Sequence, residues 1–318
     1  MTINELFFIL LRSALWHNPP EWPRVPGPEE WRIMFDLSKT HAVQGLLFDA
    51  ISGLPLEAGV PRQLAAEWMV EVGRIEKAYE EHCALVTAMH EFWQKNGVRA
   101  ILMKGTVVAA MYTVPCHRVL GDIDWWIPGD DNWNKALELI ANKGYEILPD
   151  SDGDCHYTVG GIVIEHHREG YVTEGPVGVL LMLNGHIFHH AAVSGIGMRH
   201  LCDMAVAYSY FNGKYDVNDY AGYLRECGLL DWTSLLNTVL VRYLGAPQKI
   251  LPSSGIGQAV TDKDVERFIR LVMNDGNFGL EKKRRYSGFF DRARLLLKYA
   301  PGAYLARWFG LLKGRFNR

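Results

Sequence analysis

Cysteine is scarce in this chain. Five residues in 318, Cys83, Cys116, Cys155, Cys202 and Cys227, stand far apart, with no CxxC pair and an odd total. That pattern signals neither a disulfide framework nor a cysteine zinc site, and it fits reduced thiols. Long apolar runs are missing as well. "MTINELFFILLRSALW" holds six consecutive apolar residues between an acid and an arginine, too few for a signal h-region or a membrane span. A cytoplasmic protein is expected. There is no internal repeat, no low-complexity tract and no HExxH, which removes solenoids, disordered chains and the zincin arrangement.

What is present is a globular composition, 48% hydrophobic and 22% charged, long enough for two or three units with sizeable cores. The net charge of −3 is unevenly spread. Residues 281–318 hold eleven Lys or Arg against two acids, Glu281 and Asp291, so this tail carries +9 and the rest of the chain −12. With Leu, Phe and Trp set among the cations, the tail reads as a basic amphipathic helix broken at Pro301-Gly302. A solvated or docked surface helix accounts for it; an anionic membrane surface or RNA is the sharper expectation for a partner.

Helical spacing dominates both ends. A short amphipathic helix over 1–17 precedes a proline-rich loop, and Pro28-Glu29-Glu30 make a good helix start. Helices over 29–38, 40–52 and 62–95 follow, the last stopped by "NG". At Val98 the character changes: "VRAILM" and "VLGDIDWWI" read as strands around "KGTVVAAMY", a turn into a helix. Helix 130–143 then ends at Gly144, and "YEIL", "HYTVG" and "GIVIEHH" fit three more strands. Helical periods return from about Leu180. The fold class is α+β: an N-terminal helical region 1–80, a small mixed-sheet core 81–180, and a C-terminal helical region 181–318.

The costly feature is "RVLGDIDWWIP". Residues i and i+2 of a strand share a face, so Asp122 and Asp124 stand side by side and repel unless a cation neutralises them. Hard oxygen ligands on one strand suit Mg²⁺, and two such ions serve phosphoryl or nucleotidyl transfer. Glu165 in "GIVIEHH" offers a third carboxylate, on the face it shares with Val163 and His167. DxD spacing alone is common at strand starts. It gains weight from Lys104 and Gly105-Thr106 upstream, where a strand end opens a helix whose N–H groups can meet an anion.

Lys104-Gly105-Thr106, Tyr112, Pro115, Arg118 and Gly121-Asp122-Ile123-Asp124 resemble the "KG…Y…P…R…GDiD" signature of the uncharacterised nucleotidyltransferase family, within the DNA polymerase β-like superfamily. Gly144-Tyr145, Glu165 with His167, and His190, Arg199 and Asp203 follow the family's later pattern. The resemblance implies a polymerase β-like core in which Asp122 and Asp124 hold two Mg²⁺ (or Mn²⁺) ions and Glu165 the catalytic one. Gly105 and Thr106 would grip the triphosphate of a nucleoside triphosphate donor. Two departures stand out: Thr106 replaces the usual serine, and the gap from Gly105 to Asp122 is long, both as in the toxin-type branch. Lys104 and Arg118 would either bind phosphate or neutralise the acids.

The expected activity is transfer of a nucleoside monophosphate to a hydroxyl of an acceptor that is a small molecule, tRNA or other RNA, or a protein. The alternatives are a non-catalytic nucleotide- or metal-binding module acting through a partner protein, and a phosphohydrolase using the same metals. His186 and His190 form an HxxxH pair that His200 or Asp203 could complete as a zinc site, but their apolar surroundings favour core histidines. "SGIGM" and "SSGIGQ" read as turns, without the strand-to-helix setting of a dinucleotide fingerprint. One of Trp125 and Trp126 is expected in the core, the other beside the nucleotide pocket.

Overall fold

Two adjacent glycines fix the register of the sheet. Gly160 and Gly161 both have positive φ, 58° and 86°, the conformation that a two-residue hairpin turn of the primed kind requires at both positions. They join β4 (Cys155–Val159) to β5 (Ile162–His167) with Val159 opposite Ile162. In this computed structural model, residues 2–54, 59–150, 153–170, 173–252, 257, 259–277 and 288–306 are described.

The described chain divides into two compact units. The one over Gly73–Val172 carries the sheet, in strand order β1-β2-β5-β4-β3, with β1 Ile101–Met103, β2 Ile123–Trp126 and β3 Leu148–Pro149. The central pair β2 and β5 is parallel, and every other pairing is antiparallel. Strand alternation then sorts the side chains. Ile123, Trp125, Tyr157 and Ile164 point to one face and are packed by Met89 and Trp93 of α4 (Arg62–Lys95) and by Trp133, Ala136 and Ile140 of α6 (Asp130–Asn142). Asp124, Glu165 and His167 fall on the other. Trp125 is the core tryptophan at 1% exposure. Trp126 lies over Gly170, where a Cβ would stand 2.0 Å from the indole, and its Nε1–H donates to Arg168 O at 3.2 Å.

The other unit is helical. It takes Met1–Val72 and the described residues from Thr173, so helices from the regions expected at 1–80 and 181–318 make one body. Its elements are α1 (Ile3–Trp16), α2 (Pro28–Thr40), α3 (Gln44–Ser52), the start of α4, α7 (Gly175–Val193), α8 (Met198–Tyr210), α9 (Val217–Glu226), α10 (Leu230–Leu244), α11 (Asp262–Asp275) and α12 (Phe289–Tyr299). Pro28 opens α2, and Glu30 accepts the Gly27 N–H at 2.8 Å, as that start predicts. The helix expected over 40–52 begins only at Gln44, because Ala42 turns the backbone to φ 55°. Two basic residues of the tail are committed here: Lys298 to Asp264 of α11 at 2.5 Å and Arg292 to Asp275 at 2.7 Å. Residues 281–287 and 307–318, with the other cations of the expected partner segment save Arg294, lie outside the described residues. No disulfide joins the five cysteines, and no helix among the described residues is long and apolar enough to cross a membrane.

His41, just past α2, is fully buried beside Phe7, with neither ring nitrogen hydrogen-bonded. Burial pushes its pKa down to about 4. Protons then bind the unfolded chain more readily than the folded one between pH 4 and 6.5, so His41 lowers stability as pH falls through that window. A His41→Leu variant should lose that slope. Denaturant unfolding at pH 7 and pH 4.5 should show wild type losing about 2–3 kcal/mol more than the variant; parallel losses would refute the assignment.

Candidate active site

The carboxylate face of the sheet is assembled by the parallel pairing of β2 with β5, which sets Asp124 directly across from Glu165. On the other side of β2, Met103 pairs with Asp124, so the residue after Met103, Lys104, enters at the same level. Its Nζ lies 2.6 Å from Asp124 Oδ1. Asp124 is 1% exposed and would be costly there as a lone carboxylate. Burial alone would raise its pKa, but Lys104 and His167 outweigh that and hold it below the ordinary carboxylate value. Lys104 in turn is kept charged: burial disfavours the ammonium, while Asp124 and Asp122 raise its pKa.

His167 is the second cation. Its Nε2 stands 2.8 Å from Asp124 Oδ1 and 3.6 Å from Glu165 Oε2. Its Nδ1 is 2.7 Å from Asp154 Oδ2. With carboxylates at both nitrogens the ring donates at both, and these bonds overcome burial to push its pKa up to about 9. Asp154 is itself anchored, accepting the Arg168 N–H at 3.0 Å. His166, one residue away, faces the core between the Trp93 and Trp133 rings, and burial brings its pKa down to about 4. The pKa values of neighbouring histidines thus move in opposite directions because the strand turns the rings to opposite faces.

The other expected residues arrive on turns. Asp122 precedes β2, and its Gly121 carbonyl lies 2.7 Å from His82 Nε2 of α4. Gly105 sits against the same turn, since a Cβ on it would stand 3.6 Å from Asp122 O. Arg118 is buried and its Nη1–H donates to Gly105 O at 3.2 Å, so it braces the Lys-Gly turn. Lys104 and Gly105 both have positive φ, 50° and 42°; for a lysine this is strain, worth about 1–3 kcal/mol. Thr106 is in α5 (Gly105–Ala109), a helix of five residues and too short for its dipole to carry an anion site. Asp124, Glu165 and His167 each offer a ligand atom within 4.8 Å of the others. Asp122 is outside that group, although its charge still reaches Glu165.

Glu165 records the crowding of negative charge. Burial first, then Asp122 and Asp124, push its carboxyl up to about 7. A carboxylate set that resists ionising together is the donor chemistry that a hard divalent cation relieves, so these residues could hold such a cation.

Residues 27–177 match a family model. The family is described as uncharacterised nucleotidyltransferase, and the matched segment is slightly less than half of the chain. It contains all of Lys104, Gly105, Thr106, Arg118, Asp122, Asp124 and Glu165. The small five-stranded mixed sheet with its flanking helices is the expected α+β class and is consistent with a nucleotidyltransferase core. No curated protein and no solved structure matches the chain.

The sequence places His167 only on the face of Glu165, and assigns no role to Asp154 or His82. Asp154 carries one signal, an acid in the turn "SDGDC" directly before a strand; His82 has none beyond its place on α4.

Without metal, Glu165 destabilises the fold as it ionises, so stability is lost as pH rises from about 4.5 to 7. With chelator present at pH 8, Glu165→Gln should unfold at higher denaturant than wild type, by about 1–3 kcal/mol. At pH 4, where the carboxyl is mostly protonated in both states, the difference should shrink to roughly a few tenths of a kcal/mol, the size the residual ionisation gives. A variant less stable than wild type at pH 8 would contradict the crowding.

Proposed function

We propose that this protein is a Mg²⁺-dependent nucleotidyltransferase that moves a nucleoside monophosphate from a nucleoside triphosphate to a hydroxyl of an acceptor. The observation that carries this is the β2–β5 register, which sets Asp124 against Glu165 on one sheet face while Lys104 reaches Asp124 at 2.6 Å. Asp122, Asp124 and Glu165 would hold Mg²⁺ or Mn²⁺. Bound there, divalent ions supply charge for the leaving oxygens and make the acceptor hydroxyl more acidic.

The chain's own residues do the rest. Lys104 carries an ammonium on a strained turn, and the donor triphosphate competes with Asp124 for it; Thr106 offers a hydroxyl beside it. Arg118 keeps that turn in place through the Gly105 carbonyl. Glu165 is the candidate to help take the acceptor's proton, directly or through its metal. The acceptor oxygen bonds to the α-phosphorus, the bond from that phosphorus to the bridging oxygen breaks, and pyrophosphate leaves. The acceptor is a small molecule, RNA or a protein.

One observation favours a second reading, a binding module that does no chemistry. Lys104 and His167 already neutralise Asp124 with two resident cations, an arrangement that stands without metal. Incubating wild type and Asp124→Asn with α-labelled ATP, CTP, GTP and UTP, Mg²⁺ and a cell extract separates the readings. Transfer should label one fraction, RNA, protein or small molecule, and the variant should lose about 10³-fold or more, several kcal/mol of transition-state stabilisation. Mg²⁺-dependent nucleotide binding without label in any fraction would favour the module, and release of free nucleotide or phosphate a phosphohydrolase.

A further inference from the structure

A second group of ligating side chains lies in the helical unit and has no part in the chemistry above. His186 and His190 are one turn apart on α7, on the same face, with ring centroids 4.3 Å apart. The four residues 194–197 then reverse the chain into α8, and His200 in its first turn comes to 5.7 Å from His186 and 5.5 Å from His190, centroid to centroid. One ring nitrogen from each of the three lies within 4.8 Å of the others. The sequence reading weighed Asp203 equally with His200; His200 is in the group and Asp203 is not.

The surroundings favour this convergence. The reversal is closely packed: a Cβ at Gly195, whose φ is +94°, would stand 2.7 Å from the Asp275 side chain, and one at Gly197 would stand 3.0 Å from the Asn277 backbone. Only glycines let this turn sit so near α11, and that seating brings His200 up to α7. His190 Nδ1 is 2.8 Å from Ser194 Oγ. With Nδ1–H donated to that hydroxyl, the lone pair of His190 is left on Nε2, the outer-shell device that orients ligating histidines. His200 accepts the Gly197 N–H at Nδ1 over a long 3.3 Å, and that weak bond is what the ring gives up on ligation, because a neutral imidazole cannot both accept there and offer Nε2. His186 and His190 are half-buried, so their rings can turn to close the nitrogens to the roughly 3.3 Å that tetrahedral Zn–N bonds of about 2.0 Å require.

From this geometry we infer that His186, His190 and His200 form a binding site for a divalent transition metal of the zinc class, linking the end of α7 to the start of α8. Three imidazoles with no carboxylate in the group suit zinc and its borderline neighbours rather than Mg²⁺ or Ca²⁺. Three protein ligands leave a fourth position for water or another donor. The opposing explanation is simple packing, since the His186 and His190 rings meet edge to face at 81° as aromatic rings do without any metal.

The test uses the full chain, stripped with chelator, loaded with Zn²⁺ and passed through gel filtration, with bound zinc measured by elemental analysis. Wild type should retain one equivalent and melt at a higher temperature than its stripped form. His186→Gln and His190→Gln should each weaken zinc binding at least tenfold and lose the thermal shift. His189→Gln, changed at the neighbouring ring outside the group, and Asp124→Asn, changed in the other site, should keep both. Co²⁺ loading of wild type needs no variant to fold, and a strong visible absorption should report a four-coordinate nitrogen-rich site. Failure of wild type to retain zinc, loss of zinc in Asp124→Asn alone, or a weak Co²⁺ spectrum of six-coordinate form would each overturn the inference.

Discussion

One buried carboxylate organises the sheet-bearing unit. Asp124 is almost wholly out of water, and an ionised side chain there survives only if charge and hydrogen bonds replace its hydration. Lys104 and His167 supply them from two directions, one across the antiparallel neighbour β1 and one across the parallel neighbour β5. The sheet order, with β2 between β1 and β5, is therefore also the condition under which Asp124 can be charged. Asp154 extends the same logic one step outward by fixing the ring of His167.

The two faces of the sheet divide the labour. One is sealed by Trp93, Trp125, Trp133 and Ile164, which supplies the burial that holds a sheet of short strands together. The other holds Glu165 with Val163, the latter 39% exposed, and stays accessible to solvent. Because the charged groups sit on strands pinned by that core, their spacing is set by backbone register rather than by loop conformation, which holds a constellation more precisely. Asp122 and Lys104 are the exceptions. They lie on turns braced by His82 and Arg118, long side chains that spend their polar ends on backbone carbonyls.

How much of this was legible follows from what each signal encodes. Alternation in "GIVIEHH" gave the faces of Glu165, His166 and His167 correctly, since a period of two is a local property. The neighbour of β2 was not readable, because pairing between strands some forty residues apart leaves no local trace. Asp154 escaped for a related reason: its importance comes from a contact with His167 across the β4–β5 pair. "YEIL" promised a strand and gave only Leu148–Pro149, because Tyr145 and Leu148 are exposed, at 37% and 44%, and no buried face extends the pairing. The histidines of α7 were judged from an apolar run of sequence. That run concealed the glycine turn that carries His200 back to them.

Strain and charge at the Lys-Gly turn are coupled. Lys104 adopts φ 50° at a cost of about 1–3 kcal/mol, and nothing local to a lysine favours that conformation. It persists because the alternatives would withdraw the ammonium from Asp124 and leave that carboxylate buried with one cation fewer. The strained backbone and the buried acid thus stabilise one another, and Gly105, free to take φ 42°, continues the turn and leaves its carbonyl to Arg118. A ligand that drew Lys104 toward its own phosphates would shift this balance unless it brought positive charge to Asp124 in exchange. On the nucleotidyltransferase reading proposed above, a nucleoside triphosphate carrying its divalent cation would do both, which would join the lysine and the acids in one site rather than two.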